Sequence, residues 1–114
     1  ATPKAEVKDD RIQISLNYIR KNINAQLDID FLANKACMSK DHYIRLFKRE
    51  TGETPNAYIT KRKLEKAELS LVTTAMPVKS IADILGYDDY SYFNRLFKKY
   101  AGVTPQKYRE LHFE

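Results

Sequence analysis

The sequence has few residues that break regular structure and almost none that could cross-link the chain. Only three glycines and four prolines occur among 114 residues, which argues against a loop-rich or disordered protein. Cys37 is the single cysteine, so an internal disulfide and a cysteine metal cluster are both excluded. Because the sequence has no apolar run of 18 residues and no signal-peptide pattern, we expect a cytoplasmic domain with no membrane partner.

Positive charge is in excess, and it is unevenly distributed. The 20 Lys and Arg residues outnumber the 15 Asp and Glu residues, giving a net charge of +5 that favours an anionic partner. The excess lies in three short runs: Arg45, Lys48 and Arg49; Lys61, Arg62, Lys63 and Lys66; Arg95, Lys98 and Lys99. One such run is commonly a solvated helix face. Three runs in register with a repeat favour a functional role.

One segment of the chain occurs twice. RLFKRETGETPNAY spans residues 45–58, and RLFKKYAGVTPQKY spans residues 95–108. Apolar spacing predicts helices almost throughout, with the second helix ending around Cys37–Met38. We predict an all-α fold of seven helices, with two helix-turn-helix subdomains (residues 8–53 and 75–114) joined by a long linker helix (residues 54–74). Residues 1–7 are predicted to be the remnant of a linker.

Capping residues predict where these helices begin and end. The predicted N-caps are Asp28, Ser39, Thr54, either Asp88 or Asp89, and Thr104. Gly52 and Gly102 are predicted to end helices in the left-handed conformation. The two copies differ at the turn, because Ala33 and Arg45 are 12 positions apart whereas Ala82 and Arg95 are 13 apart.

The helix after each turn has a predicted outward face that carries polar groups. In the first copy, Tyr43, Leu46 and Phe47 face the core, and the opposite side carries Asp41, Ile44, Arg45 and Lys48. In the second copy, Phe93, Leu96, Phe97 and Tyr100 face the core, and the opposite side carries Ser91, Asn94, Arg95 and Lys98. Arginine can bond guanine, asparagine can bond adenine, and an exposed Ile44 could touch a thymine methyl group.

Helix length and further cations also fit a DNA duplex. The fourth helix is predicted to cover about 19 residues, roughly 28 Å, and adjacent major-groove segments on one face of DNA lie about 34 Å apart. One chain could therefore hold two reading helices one turn of DNA apart. Phosphates would be bound by Lys48, Arg49, Lys98 and Lys99, with help from the helix starts after Thr54 and Thr104.

Two stretches resemble a known family. SIADILGYDDYSYFNRLFKKYAGVTPQKYR, residues 80–109, resembles the signature of the AraC/XylS family of bacterial transcription regulators. LANKACMSKDHYIRLFKRETGETPNAYITKRKLEKA, residues 32–67, is similar to the first helix-turn-helix and linker helix of that family. The resemblance covers about residues 8–110. It implies the C-terminal DNA-binding domain of such a regulator, with two recognition helices in successive major grooves of a promoter.

The resemblance also implies particular contacts and partners. Carried over by position, the base-contacting residues are Lys40, Asp41, Ile44 and Arg45 in the first helix and Tyr90, Ser91, Asn94 and Arg95 in the second. Asp41 would place a negative charge in a DNA groove that is itself negative. Its carboxylate either accepts a hydrogen bond from cytosine or pairs with Arg45. The implied partners are double-stranded DNA and RNA polymerase, with no cofactor or metal ion. This chain is expected to be monomeric, whereas dimerisation of a longer parent protein stays open.

Simpler structural roles are preferred for the remaining reactive or aromatic residues. Cys37 is predicted to be a small, partly buried structural residue, and His42 a phosphate or solvent contact. The tyrosines at 87, 90, 92, 100 and 108 are expected mainly to pack between helices. No residue set is spaced for triad or metal chemistry, so an enzyme is not expected. A helical interaction module that binds an acidic protein stays open as the alternative function.

Overall fold

The computed structural model describes residues 6–112, and this part of the chain is helical apart from its turns and loops. Its helices are α1 (Asp10–Lys21), α2 (Ile29–Lys35), α3 (Lys40–Thr51), α4 (Pro55–Thr73), α5 (Val78–Ile84), α6 (Tyr90–Ala101) and α7 (Pro105–His112). The predicted all-α fold with seven helices is confirmed for the described range. Most of the linker predicted at residues 1–7 lies outside it.

Contacts divide the chain into two compact units. The first unit contains the residues up to Ile23 together with Leu27–Thr60, and the second contains Asn24–Gln26 together with the residues from Lys61 onwards. The boundary therefore falls inside α4. Each unit contains a helix pair joined by a short turn, α2 and α3 in the first unit and α5 and α6 in the second. The tripeptide Asn24–Gln26 follows α1 in the chain but belongs to the second unit.

The first unit is built around apolar faces of α1, α2 and α3 and the start of α4. Its buried core consists of Ile12, Leu16, Ile19, Ile29, Leu32, Ala33, Met38, Tyr43, Leu46, Phe47 and Ile59. The hydroxyl of the fully buried Tyr43 shares a hydrogen bond with Ser15 Oγ, and burial raises the pKa of Tyr43. Phe47 packs edge-on against Tyr58, with ring centroids 5.6 Å apart. These contacts fix one side of α3, so its opposite side is left for solvent or a ligand.

The second unit has a core of the same kind. Its buried residues are Leu64, Ala67, Leu71, Val78, Ile81, Ala82, Leu85, Phe93 and Phe97. Phe97 of α6 packs edge-on against Tyr108 of α7, with ring centroids 5.5 Å apart. The guanidinium of Arg109 binds both the end of α4 and the segment that follows it, because Nε donates to Leu71 O at 3.0 Å and Nη2 donates to Met76 O at 2.6 Å. The bond to Leu71 O satisfies a last-turn carbonyl that α4 itself leaves unpaired.

The predicted helix starts and glycine stops are confirmed. Asp28, Ser39 and Asp89 are the N-caps of α2, α3 and α6, and each side chain accepts a backbone N–H of the first turn. Gly52 and Gly102 end α3 and α6 with φ values of +85° and +86°. Left-handed backbone of this kind carries little strain only when the residue is glycine.

Three details of the sequence interpretation were wrong. α2 ends at Lys35, not around Cys37–Met38, because Cys37 adopts a left-handed φ of +58° that a helix cannot contain. Cys37 is also exposed, not partly buried. Tyr100 was assigned to the buried stripe of α6, yet it is 38% exposed and its hydroxyl donates to Glu68 at 2.8 Å. Burial of the hydroxyl, followed by this hydrogen bond, raises the pKa of Tyr100 to about 12.

Candidate nucleic-acid interface

The outward face of α3 is strongly basic. Lys40, Arg45, Lys48 and Arg49 are exposed along it, together with the single acidic residue Asp41. Ser39 Oγ accepts from His42 N at 3.2 Å and so fixes where the helix begins. Because Tyr43 and Phe47 are fully buried on the other side, this face cannot rotate into the core. The first unit therefore presents a fixed, positively charged helix surface.

Ile44 and Asp41 of α3 differ in detail from what the sequence predicted. Ile44 is partly buried and packs against the first core, so it is not the fully exposed apolar contact that the helical wheel predicted. Arg45 Nε lies 3.4 Å from the backbone oxygen of Asp41, a long and weak hydrogen bond. The predicted pairing with the Asp41 carboxylate is not the contact that the described residues make. The other guanidinium N–H groups of Arg45 thus stay available to a ligand.

Three of the predicted contact residues of the first unit line one open depression. Lys40, Ile44 and Thr54 border this space of about 410 Å³ beside the starts of α3 and α4. Thr54 Oγ1 accepts from Ala57 N at 3.2 Å, so the hydroxyl acts as the N-cap that the Thr-Pro pair predicted. Lys40 Nζ also lies 3.9 Å from Asp30 Oδ1, an exposed ion pair that contributes little to stability. An anion could displace that weak pairing.

The outward face of α6 repeats the basic pattern in the second unit. Ser91, Arg95, Lys98 and Lys99 are exposed, whereas Tyr90 and Asn94 are partly buried. Tyr90 also packs against the second core, so only part of its side chain is left for a ligand. Thr104 Oγ1 accepts from Lys107 N at 3.2 Å and caps α7 just as Thr54 caps α4. The structure thus exposes an arginine and a pair of cations on each of the two helices.

Arg95 has an aromatic neighbour that sequence analysis did not assign to it. Its guanidinium carbon lies 5.9 Å from the centroid of the Tyr92 ring. Tyr92 is 47% exposed, so the expectation that the tyrosines mainly pack between helices fails at this position. A guanidinium over an aromatic face is modestly attracted to the ring. That attraction restricts the rotamers of the arginine side chain in the absence of a ligand. The Tyr92 ring is therefore close enough to help orient the guanidinium of Arg95.

Lys63 differs most from the sequence prediction, because it is a buried cation. It was placed in a basic surface run, yet only 6% of it is exposed and its ammonium donates to Ala25 O at 2.7 Å and to Leu85 O. Burial, followed by repulsion from Lys66, lowers the pKa of Lys63 to about 8. A sequence signal existed, because Ile59, Lys63, Ala67 and Leu71 recur every four residues along the buried face of α4.

Neither a group of side chains that could hold a metal ion nor a membrane-spanning helix is found among the described residues. Among them, no group of three or more His, Cys, Asp or Glu side chains is arranged to hold a metal ion. His42 is exposed and borders a shallow depression together with Arg45 and Arg49. No helix within residues 6–112 combines the length and apolarity needed to cross a bilayer.

Comparison with known proteins gives a consistent set of relatives. The model of the Helix-turn-helix domain family matches residues 32–111. The xylose operon regulatory protein of Escherichia coli K12 is 31% identical over 114 residues, which is all of this chain but 29% of that protein. This chain thus spans less than a third of the length of that relative.

Two solved structures share the fold over nearly the whole chain. The C-terminal domain of AraT, a response regulator from Geobacillus stearothermophilus, superposes with a TM-score of 0.89 at 31% identity, covering 93% of this chain and 88% of that one. The DNA-binding domain of the global transcriptional factor AdpA, solved in complex with a target DNA, has a TM-score of 0.86 at 23% identity and covers 90% of this chain and 93% of its own. At that identity, the AdpA likeness shows the fold alone.

Proposed function

Because this chain belongs to the AraC/XylS family of helix-turn-helix transcription regulators, we propose that it reads double-stranded DNA sequence with α3 and α6 in successive major grooves. The observation that carries the proposal is a matched pair of arginines. Arg45 stands six positions after the N-cap Ser39, and Arg95 stands six positions after the N-cap Asp89. Equal spacing on capped helices gives both arginines the same direction relative to their own cores. Both are exposed.

Base recognition is assigned to four residues in each reading helix. They are Lys40, Asp41, Ile44 and Arg45 on α3, and Tyr90, Ser91, Asn94 and Arg95 on α6. Arg45 and Arg95 are the residues we expect to bond guanine, and Asn94 is suited to adenine. Ile44 contributes its exposed edge to a thymine methyl group. Asp41 would accept from a cytosine amino group, since its carboxylate does not hold Arg45.

Phosphate binding is assigned to the ends of the same helices and to the starts of the next ones. Lys48, Arg49, Lys98 and Lys99 supply positive charge, and Thr54 and Thr104 mark helix starts whose first N–H groups suit an anion. The plainer reading of these four cations is that they complement the carbonyl ends of α3 and α6. Both roles are compatible, because a side chain in the last turn can still reach a neighbouring phosphate.

The wider role follows from the kind of protein these domains belong to. We propose RNA polymerase as a protein partner of the complete regulator, since the xylose operon relative is named for control of an operon. This domain would bind DNA as a monomer, in the cytoplasm and without catalysing a reaction. Each unit has its own buried core and its own reading helix, which supports monomeric binding.

Selection of bound duplexes from a random library tests the proposal. We expect enrichment of a site with two short blocks centred about 10 base pairs apart, with affinity falling steeply as salt is raised. Arg20→Ala is the matched control, because Arg20 is an exposed arginine on α1, which is not one of the two proposed reading helices. That variant should select the same site, whereas Arg45→Ala with Arg95→Ala should select neither block.

A helical module that binds an acidic protein would behave differently in the same assay. It would bind random and selected duplexes with similar affinity, because charge alone does not distinguish base pairs. Failure of the wild-type chain to enrich any sequence would therefore contradict the proposed function. Salt-sensitive binding without enrichment would favour the interaction module.

A further inference from the structure

The tripeptide Asn24–Gln26 lies far from α6 in sequence, yet hydrogen bonds connect it to the turn that precedes α6. All of the residues involved belong to the second unit. Lys63 of α4 donates to Ala25 O and to Leu85 O, and Leu85 is the C-cap of α5. Lys66 Nζ donates to Asn24 Oδ1 at 2.9 Å. We call the tripeptide Asn24–Gln26 together with Lys63 and Lys66 the tripeptide clamp.

The third member of the tripeptide binds the turn directly. Gln26 Nε2 donates to Gly86 O at 3.2 Å and to the Asp88 carboxylate at 2.9 Å. Asp88 is followed by Asp89, whose side chain accepts from Tyr92 N and caps α6. The clamp thus holds the turn both where α5 ends and one residue before α6 is capped.

The turn fits closely against the clamp at Gly86. This glycine has a φ of +89°, and an added Cβ would lie 3.3 Å from Asn24 O and 3.4 Å from Lys63 Nζ. Gly52 and Gly102 have nearly the same φ, yet a Cβ there would meet nothing within 4 Å. Close packing as well as backbone conformation therefore favours glycine at position 86.

Burial of the ammonium favours a positioning role over a solubility role. A cation removed from water is costly unless its hydrogen bonds are made, and Lys63 makes them to two carbonyls on separate segments. One of those carbonyls lies at the end of a helix, where positive charge is favoured. Lysine at this position is therefore matched to the segments it joins.

We propose that the tripeptide clamp positions α6 for base reading, by fixing the Leu85–Asp89 turn in the conformation from which Ser91, Asn94 and Arg95 reach the DNA. The inference rests on the proposed function for its last step only. Gln26 and Lys63 are positioning residues, since neither is assigned a contact with DNA. Weakening the clamp should make the turn more mobile in the free protein. It should also reduce the base preference of α6 and leave that of α3 unchanged.

Hydrogen exchange of the free 114-residue chain tests the first step without DNA. The reporters are the amides of Gly86, Tyr87 and Tyr92, which are hydrogen-bonded in and after the turn. Gln26→Ala and Lys63→Met should each speed exchange of these amides by about tenfold, while the amides of His42 and Tyr43 in the first unit keep their rates. Gln106→Ala, an exposed glutamine of α7, is the matched control and should change nothing.

Selection from a random duplex library tests the second step. In the block of base pairs where Arg95→Ala weakens selection, Gln26→Ala should reduce the preference for the selected bases at least threefold. In the block where Arg45→Ala weakens selection, Gln26→Ala should leave the base preference unchanged. Lys63→Arg, which retains a cationic donor, should recover part of what Lys63→Met loses.

Each arm can overturn the proposal by itself. Unchanged exchange in both Gln26→Ala and Lys63→Met would show that the clamp does not hold the turn. Loosened exchange with intact preference in both blocks would show that α6 does not depend on it. If the wild-type chain selects no sequence, the proposed function fails together with this role in base reading, and the exchange data still decide whether the clamp exists.

Discussion

The turns of the two units share a backbone hydrogen-bond pattern but differ in length and in what surrounds their left-handed residue. In the first unit, Cys37 N donates to Asn34 O and Met38 N donates to Ala33 O; in the second, Gly86 N donates to Asp83 O and Tyr87 N donates to Ala82 O. Cys37 and Gly86 are the left-handed residues of the two turns, with φ values of +58° and +89°. The second turn has one more residue before its reading helix.

The difference lies in what surrounds the left-handed residue. Cys37 is exposed, so a side chain is tolerated there at the cost of some backbone strain. Gly86 lies against Asn24, Ala25 and Lys63, so an added Cβ would be crowded at 3.3–3.5 Å from their atoms. A duplicated reading helix can therefore be presented by an open turn in one unit and by a clamped turn in the other.

The largest effect is expected from filling the space at Gly86. Gly86→Ala should lower the free energy of unfolding by about 2–4 kcal/mol, because left-handed strain of about 1–2 kcal/mol adds to overpacking. Gly102→Ala has the same backbone requirement in the same unit but open space, and should lose only about 1–2 kcal/mol. Calorimetric unfolding of both variants measures the difference. Equal losses would mean that the clamp does not constrain the turn.

Removal of either proposed reading arginine should weaken DNA binding without unfolding the chain. Arg45→Ala and Arg95→Ala should each cost about 1–3 kcal/mol of affinity for the selected duplex. Arg95 is expected to give the larger loss, since the Tyr92 ring lies close enough to help orient its guanidinium before binding. Titration of a labelled duplex at fixed salt measures both. Affinities within twofold of the Arg20→Ala control would argue against base reading.

The buried ammonium of Lys63 should give the second unit an unusual pH dependence. The folded pKa of Lys63, about 8, lies below the unfolded value of 10.5, so the unfolded chain holds the extra proton between these limits. Stability should therefore rise with pH in that range, by about 1–2 kcal/mol between pH 7.5 and 9.5. Lys63→Met should lack this rise. Urea unfolding at the two pH values measures it, and parallel behaviour of variant and parent would refute the assignment.

The smallest effect is expected at the open turn. Cys37→Gly removes left-handed strain but makes the unfolded chain more flexible, so the net gain in stability should be about 0.5 kcal/mol. Thermal unfolding, with Ala36→Gly as the control for added flexibility, can detect it. A loss as large as that of the control would show that Cys37 carries no strain.

Local chemistry explains which features could be predicted from the sequence. The caps at Ser39 and Thr54 and the stop at Gly52 depend on residues within one turn of helix, and all three were predictable. The exposure of Arg45 and Arg95 followed from the periodicity of their own helices. Ile44 was harder, because its partial burial depends on how neighbouring helices pack.

Long-range contacts explain what the sequence did not reveal. The clamp joins Ala25, Lys63 and Leu85, which no local pattern relates. A lysine inside a basic run is by default a surface residue, so its position on the apolar stripe of α4 was the only signal. The partner of Gln26 in the second unit could not be inferred from its place directly after α1.

A loss-of-contact experiment tests the central claim most directly. Each base pair of the selected site is replaced in turn, and binding is measured for the parent chain, Arg45→Ala and Arg95→Ala. We predict that each variant becomes indifferent to one or two adjacent base pairs, with those of Arg45 in one block and those of Arg95 in the other. Indifference at the same base pairs in both variants, or at none, would contradict reading by two separate helices.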